Sequence, residues 1–260
     1  MHSAPAWLPS ALAAAVFVAL FALERVRPLR PRLEATTRHV VRNLALGAVG
    51  AAVLAVLDRP LTALLAQRVE ASGWGLLPAL GLPPAAEIGL GLLLLDYTIF
   101  LWHGLLHRVP LLWRFHEVHH VDLDVDASTA LRFHAGELAA SVLWRSAQVA
   151  VIGIGPTTLA IWHSVLFVSV LFHHSNVRLP AAFERGLGRL VMTPRLHGLH
   201  HSVVPEEMRS NLSSGLTLWD VLHGTWRAPS SGDPLTIGVA AVRRPLGFAA
   251  LLRRPFAATE

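Results

Sequence analysis

The chain has 260 residues, room for one substantial domain, with 53% apolar and only 15% charged residues; a soluble domain carries roughly 25% charged residues, so water is not its only solvent. It has no Cys, which excludes disulfides, thiolate metal sites and thiol nucleophiles. The net charge of +5 rests on Arg alone, and those Arg flank apolar runs and form no basic stripe, which argues against a nucleic-acid partner.

Five apolar stretches are predicted in chain order. The first covers residues 6–23, opens on Trp7 and is followed by Glu24-Arg25-Val26-Arg27; it lacks a basic leader and reads as an anchor, not a removed signal peptide. The second covers 44–65 and is interrupted by Asp58-Arg59-Pro60. The third, 88–106, is the cleanest. The fourth, 138–154, and the fifth, 157–172, are joined by Gly155-Pro156 and are short against the ~20 residues a full span needs, so they read as a re-entrant hairpin or as two spans in a thinned region. Arg25, Arg27, Arg30, Arg32, Arg38 and Arg42 crowd between the first two stretches and predict that this loop is cytoplasmic. Alternation then puts the end of the third stretch on that side, together with both ends of the hairpin and the Arg-containing tail. The expected organisation is 1–84 for N-terminal membrane helices and their loops, 85–227 for a catalytic region, and 228–260 for a cytoplasmic tail.

The chain's 15 His are anomalous in so apolar a composition. They fall as His103-x3-His107, His116-x2-His119-His120, His173-His174 and His197-x2-His200-His201. On a helix, residues three and four apart share a face, with Cβ atoms about 5–6 Å apart, so each cluster is expected to deliver two or three imidazoles to one point. A lone His beside an apolar helix is usually a satisfied core residue. Two copies of His-x2-His-His with a His-x3-His are not accounted for that way, because burying unpaired imidazoles costs about 1–3 kcal/mol each and metal ligation removes the cost. The ligands exceed one site of three or four, so two ions are expected, and imidazole alone does not choose among Zn, Cu, Fe and Ni.

Two other patterns lie in the segment 116–120. His116-Glu117-Val118-His119-His120 matches H-E-x-x-H of zinc proteases, and Glu117-x2-His120 has the spacing of carboxylate-bridged di-iron bundles. The first leaves the other clusters without a role. The second needs another Glu-x2-His, and the chain has no such copy.

Across residues 96–226 the sequence resembles the fatty acid hydroxylase superfamily of membrane di-iron enzymes, sterol desaturase type. Beyond the His clusters, the resemblance rests on Asp96-Tyr97, on Arg132-Phe133-His134-Ala135-Gly136-Glu137 with Ala where Pro is common, and on His174-Ser175-Asn176-Val177-Arg178-Leu179-Pro180. Thr193-Pro194-Arg195, Asn211, Leu218-Trp219-Asp220 and Gly224-Thr225 complete it. It implies an all-α integral membrane bundle with a cytoplasmic, histidine-rich cap holding a dimetal site. It further implies two iron ions, O₂ as co-substrate, and hydroxylation or desaturation of a lipid: a sterol, fatty acyl chain, ether lipid or carotenoid. The matching motif positions are His103, His107, His116, His119, His120, His174, His197, His200 and His201. Val170 stands where some relatives carry a partner for His174, which leaves His134 and His173 as further candidates, and His223 is not read as a ligand. No flavin, haem or iron–sulfur motif is visible, so electrons are expected from an external donor such as a ferredoxin or cytochrome with its reductase. A bacterial inner membrane is the expected location.

Asp96, Asn176, Glu137 and Asp220 are expected to support the ligands through hydrogen bonds, since a ligating His usually donates its second N–H; Asp122 and Asp124 are weaker candidates that also read as solvated loop groups. Asp96 lies within an apolar stretch, where a carboxylate is costly and often functional. His163, about 16 Å before His174 if that stretch is helical, reads either as lining a lipid channel or, by preference, as bonding a neighbouring helix, and Arg145 is equally ambiguous. The alternatives to a lipid oxidase are a membrane zinc hydrolase with Glu117 as base and a non-enzymatic metal-binding membrane protein.

Overall fold

A computed structural model describes residues 8–229 and 235–257, so Trp7 and the start of the first apolar stretch lie outside them. The described residues are helical, with only isolated β-bridges. In chain order they form α1 (Leu8–Val26), α2 (Thr36–Val53), a π-helical turn (Leu54–Asp58), α3 (Arg59–Ser72), α4 (Leu76–Ala79), α5 (Pro84–Arg108) and α6 (Pro110–His120). A 3₁₀ turn (Ala127–Leu131) precedes α7 (Ala135–Ile152), α8 (Pro156–His174), α9 (Ala181–Leu187), α10 (Pro194–His200), α11 (Pro205–Met208), α12 (Leu218–His223) and α13 (Phe248–Arg253).

Among the described residues, three helical segments are long and apolar enough to cross a membrane: Thr36–Ala79, Pro84–Arg108 and Pro156–His174. The expected break at Asp58-Arg59-Pro60 does not end the second. Pro60 falls just after the π turn, where the chain passes into α3, and the wide turn carries the rod through. Ala66, Val69, Leu95, Val149, Ile154 and Trp162 form the buried core between α3, α5, α7 and α8. Val56, Leu143 and Val151, each 70% exposed, point outward as side chains facing hydrocarbon would.

Prolines set the geometry of the functional end. Pro110 forces Val109 out of the α region (φ −91°, ψ 114°), so α5 and α6 meet at a one-residue corner. Gly153 at φ 86° ends α7, and Pro156 starts α8. Thr193 caps α10 by accepting from the Leu196 N–H, with Pro194 at the first position.

A cap covers this end. The Arg-rich loop after α1 is pinned to it: the Leu29 N–H donates to the Asn176 carbonyl, the Arg178 N–H to the Arg27 carbonyl, and Arg32 pairs with Asp126 at 2.8 Å. The described part of the tail, 235–257, also folds onto the cap. Val242 and Leu251 pack against Leu46 and Val118, and Arg254 pairs with Glu117. At the centre lies the buried carboxylate of Asp122, which accepts from His39 Nε2 (2.8 Å) and the Thr129 hydroxyl (2.8 Å). Arg132 stands 3.9 Å away, donating to Asn43 Oδ1 and to the Val118 carbonyl. Sequence reasoning passed over His39, Asn43 and Arg132 as a structural unit; the signal lay in His39-x3-Asn43, two polar residues one turn apart on a mostly apolar helix.

Burial alone would raise the Asp122 carboxyl, but His39 and Arg132 outweigh it and hold it below the usual carboxylate range. A carboxylate so depressed contributes stability above its unfolded pKa of about 3.9 and loses it as pH falls below that value. Asp122→Asn is therefore expected to cost about 3–5 kcal/mol near pH 7, the scale of breaking a buried charge pair. Thermal unfolding in nanodiscs should show wild type losing its advantage below about pH 4.

Candidate metal centre

Nine histidines converge under the cap in two adjoining groups. His103, His107, His116, His120 and His200 form one; His119, His174, His197 and His201 form the other. Within each group the candidate ligand nitrogens all lie within 4.8 Å of one another, a spread compatible with imidazoles around one ion at M–N distances of about 2.0–2.1 Å. Eight of the nine are buried. The expectation that each His cluster serves a single point is corrected. Adjacent residues on a helix lie about 100° apart, so α6 gives His116 and His120 to the first group and His119 to the second. Likewise α10 gives His200 to the first group, while His197 and His201, the residue capping its end, go to the second.

The tautomers can be read from fixed acceptors. His103 Nδ1 donates to the Leu212 carbonyl (2.7 Å), His119 Nδ1 to Arg132 (3.2 Å), His174 Nδ1 to Val170 (2.8 Å) and His200 Nδ1 to Ser210 (3.0 Å). A carbonyl only accepts, so the proton of each neutral ring sits on Nδ1 and Nε2 presents a lone pair. Burial, reinforced by neighbouring imidazoles, holds His119 and His200 well below the ordinary imidazole value, so both are neutral at pH 7. Yet His119 Nε2 and His174 Nε2 stand 2.9 Å apart, and His197 Nε2 is 3.0 Å from the latter. For His119 and His174 no proton is left to bridge the gap. A cation between the rings satisfies both lone pairs. The buried Nε2 atoms of His107 and His200 likewise lack a protein partner.

The supporting residues divide. Glu137 accepts from His116 Nδ1 at 3.0 Å, directly behind a candidate ligand. Asp220 accepts from the Leu212 and Ser213 N–H groups and so holds the carbonyl that orients His103. Asp96 touches no imidazole; it accepts from the Leu216 N–H and Trp219 Nε1 and pins the loop beside the site. Asn176 clamps both backbone groups of Arg30, and Asp124 accepts from the Leu33 and Glu34 N–H groups. Asn211, at φ 53°, was noted only as part of a motif. Its side chain grips the Leu196 and Arg227 carbonyls beside Ser210, which orients His200.

His134 does not join the site. Its Nδ1 accepts from the Gly136 N–H to cap α7, and its Nε2 donates to the Leu252 carbonyl, so neither nitrogen is free. The His173 ring lies 4.1 Å from that of His197, with its Nδ1 buried and unpartnered, at the edge of the second group. Glu117 joins neither group of imidazoles; both its oxygens accept from Arg254, one from Nε (2.8 Å) and one from Nη2 (3.0 Å), which engages the carboxylate a hydrolytic base would need free.

From the imidazoles a cavity of about 540 Å³ runs back between α2, α5, α7 and α8. Ile99, Trp102, Leu106, Leu138, Leu166 and Phe167 are among its apolar walls, and His163, Arg145, Gln148 and Asp58 also line it. The preferred reading of His163 as bonded to a neighbouring helix is not what its Nε2 shows, since that atom is buried without a partner.

The fatty acid hydroxylase family model matches residues 88–225. The ornithine lipid hydroxylase OlsE of Rhizobium tropici is 30% identical over 67% of this chain and 51% of its own length. The cholesterol 25-hydroxylase of Homo sapiens is 32% identical over 54% of this chain and 50% of its own, and the alkylglycerol monooxygenase of Homo sapiens is 26% identical over 51% and 29%. The matched stretch thus spans about half the length of these relatives, or less. No solved structure matches the chain.

If the two groups hold separate ions, elemental analysis should find about two metal ions per chain. His174→Ala, which touches the second group alone, should lose about one and keep the other, whereas Glu117→Gln should keep both. Unchanged metal content in His174→Ala would remove the second group from the site.

Proposed function

The chain belongs to the fatty acid hydroxylase family, and from that premise we propose that it hydroxylates a lipid with O₂ at a pair of His-held irons. The observation that carries this is the facing of lone pairs between His119 and His174, which calls for a cation where the family's chemistry needs one. Iron is preferred to zinc on family membership, since imidazole serves either. Hydroxylation is preferred to desaturation because the relatives named above are hydroxylases or a monooxygenase.

An unactivated C–H bond has no acidic proton for a side chain to take. Bound iron would supply the redox chemistry with O₂ that such a bond requires. The chain's own residues then have four tasks. The nine histidines of the two groups, with His173 as a further candidate, hold the metal, and in His103, His119, His174 and His200 a backbone carbonyl fixes the tautomer beforehand. Glu137, behind His116, makes that ring a stronger donor to the metal. Phe133, stacked on His119 at 4.6 Å, and Trp113, 5.1 Å from His107, wall the site with apolar surface. The cavity between α2, α5, α7 and α8 takes the lipid, with its reacting carbon near His103, His116, His119, His174 and His197, which line one end.

The Arg-rich α1–α2 loop is bonded to the same cap as the histidines. The bias of Arg toward the cytoplasmic face then supports a site on that side of a bacterial inner membrane, within reach of a soluble electron donor such as a ferredoxin or a cytochrome with its reductase.

A zinc hydrolase using Glu117 needs neither O₂ nor reductant, which separates the two readings. Membranes holding the protein, supplied with iron, a reducing system and extracted bacterial lipid, should consume O₂ and yield a product 16 mass units heavier. His119→Ala and His200→Ala should lower this by ~100-fold or more, since losing even a hydrogen-bond partner behind a ligand costs about 10–100-fold. Glu117→Gln should stay within a few-fold of wild type. Turnover without O₂, or its loss in Glu117→Gln alone, would favour hydrolysis.

A further inference from the structure

The cavity does not end in hydrocarbon. Eleven residues along α8 separate His174 from His163, and eight along α7 separate Glu137 from Arg145; at 1.5 Å per residue these are about 16 and 12 Å. At that depth Asp58, Arg145, Gln148 and His163 gather on the cavity wall. Asp58 arrives at the end of the π turn, a feature common at functional sites.

The cluster is only partly satisfied from within. Arg145 Nη1 donates to Asp58 Oδ1 at 2.6 Å, which cancels both charges, while Arg145 Nε is buried without an acceptor. The Thr98 hydroxyl gives its proton to the Leu94 carbonyl (2.7 Å), so Gln148 Nε2 donates to Thr98 Oγ1 (2.5 Å). That fixes the amide and leaves Gln148 Oε1 a free acceptor, and His163 Nε2 also lacks a partner. Arg145, Gln148 and His163 all line the cavity, and each keeps one buried polar atom without a protein partner; buried polar groups are normally hydrogen-bonded, so these three call for a ligand.

The free atoms offer one donor, one acceptor and one imidazole nitrogen beside a neutral ion pair. A carboxylate would bring no proton for Gln148 Oε1 and would face Asp58. An ammonium would give Arg145 Nε no acceptor. A hydroxyl both gives and accepts. We infer that Arg145, Gln148 and His163 form a subsite for the hydroxyl of a neutral lipid alcohol, whose far end lies at the imidazoles. This rests on the proposed lipid oxidation and adds its substrate class. A saturated chain advances about 1.25 Å per C–C bond of ~1.5 Å, so the oxidised carbon lies about ten to thirteen bonds from the alcohol oxygen. A volume of about 540 Å³ accommodates either a single chain or a fused-ring skeleton.

The test is equilibrium binding to the full-length protein in phosphatidylcholine nanodiscs, using radiolabelled cholesterol, 1-tetradecanol and the methyl ether of each. The ethers keep the skeleton and remove the donated proton. Wild type should bind at least one alcohol about tenfold more tightly than its ether, the effect of one to two net hydrogen bonds; which alcohol shows it identifies the ring or the chain as the occupant. His163→Phe, which keeps an aromatic ring and removes the unpartnered nitrogen, should reduce the preference severalfold, and Gln148→Leu should bring it close to one. Equal binding of each alcohol and its ether by wild type would overturn the inference, as would a preference unchanged in both variants. The assay needs neither O₂ nor turnover. Lipid oxidation without alcohol preference would defeat the subsite alone, and alcohol preference without oxidation would defeat the oxidase reading alone.

Discussion

The structure turns on the orientation of neutral imidazoles before any ion arrives. A histidine in water chooses freely between its tautomers, but four rings in the two groups have that choice made by backbone carbonyls at Leu212, Arg132, Val170 and Ser210. Each carbonyl is itself held. Asp220 grips the amides of the 212–213 turn, and Asn211 braces the turn containing Ser210. The Asp122 hub fixes Arg132, and the α8 backbone fixes Val170. The lone pairs therefore face one another by construction, and the repulsion between them is borne by a cap rich in buried polar bonds. Such rigidity is what a metal site requires if its geometry is to be set by the protein and not by the ion.

That constraint explains why so small a bundle carries so elaborate a cap. Apolar packing between α3, α5, α7 and α8 gives shape but little precision in lipid, where helix association lacks the hydrophobic drive it has in water. Precision comes from the corners. The single residue Val109 between α5 and α6 swings His116 and His120 back beside His103 and His107, and the Thr193-Pro194 start of α10 brings His197, His200 and His201 over them.

Much of this was legible in the chain. The His spacing predicted convergence, the motif segments predicted the family, and the apolar runs predicted a helical membrane protein. The parts that escaped share a cause, because they depend on which way a side chain turns once the helices are packed. Spacing placed His116, His119 and His120 on one face, whereas the 100° step between neighbours divides them between two groups. His134 fits the family segment, yet capping α7 uses its Nδ1 and the Leu252 carbonyl takes its Nε2. Glu117 completes a protease motif on paper, but Arg254, 137 positions away, engages its carboxylate. Asp96 looked functional because it is costly in a membrane, and its cost is offset by Trp219 and Leu216, partners more than a hundred residues distant. No local pattern encodes such pairings.

The same helices that aim the imidazoles also set the depth of the cavity. α8 carries His174 at one end and His163 eleven residues earlier, and α7 carries Glu137 and Arg145 in the antiparallel sense, so the separation of the two polar ends is a property of helical rise. Hydrocarbon between them offers no directional contact, because dispersion and desolvation are nearly indifferent to a shift of one methylene along a chain. Selection of one carbon among many similar ones must therefore come from a fixed point at the other end. Under the proposed lipid oxidation, a polar cluster anchored on rigid helices supplies such a point, and the span of α7 and α8 is the ruler by which a position on the lipid would be chosen.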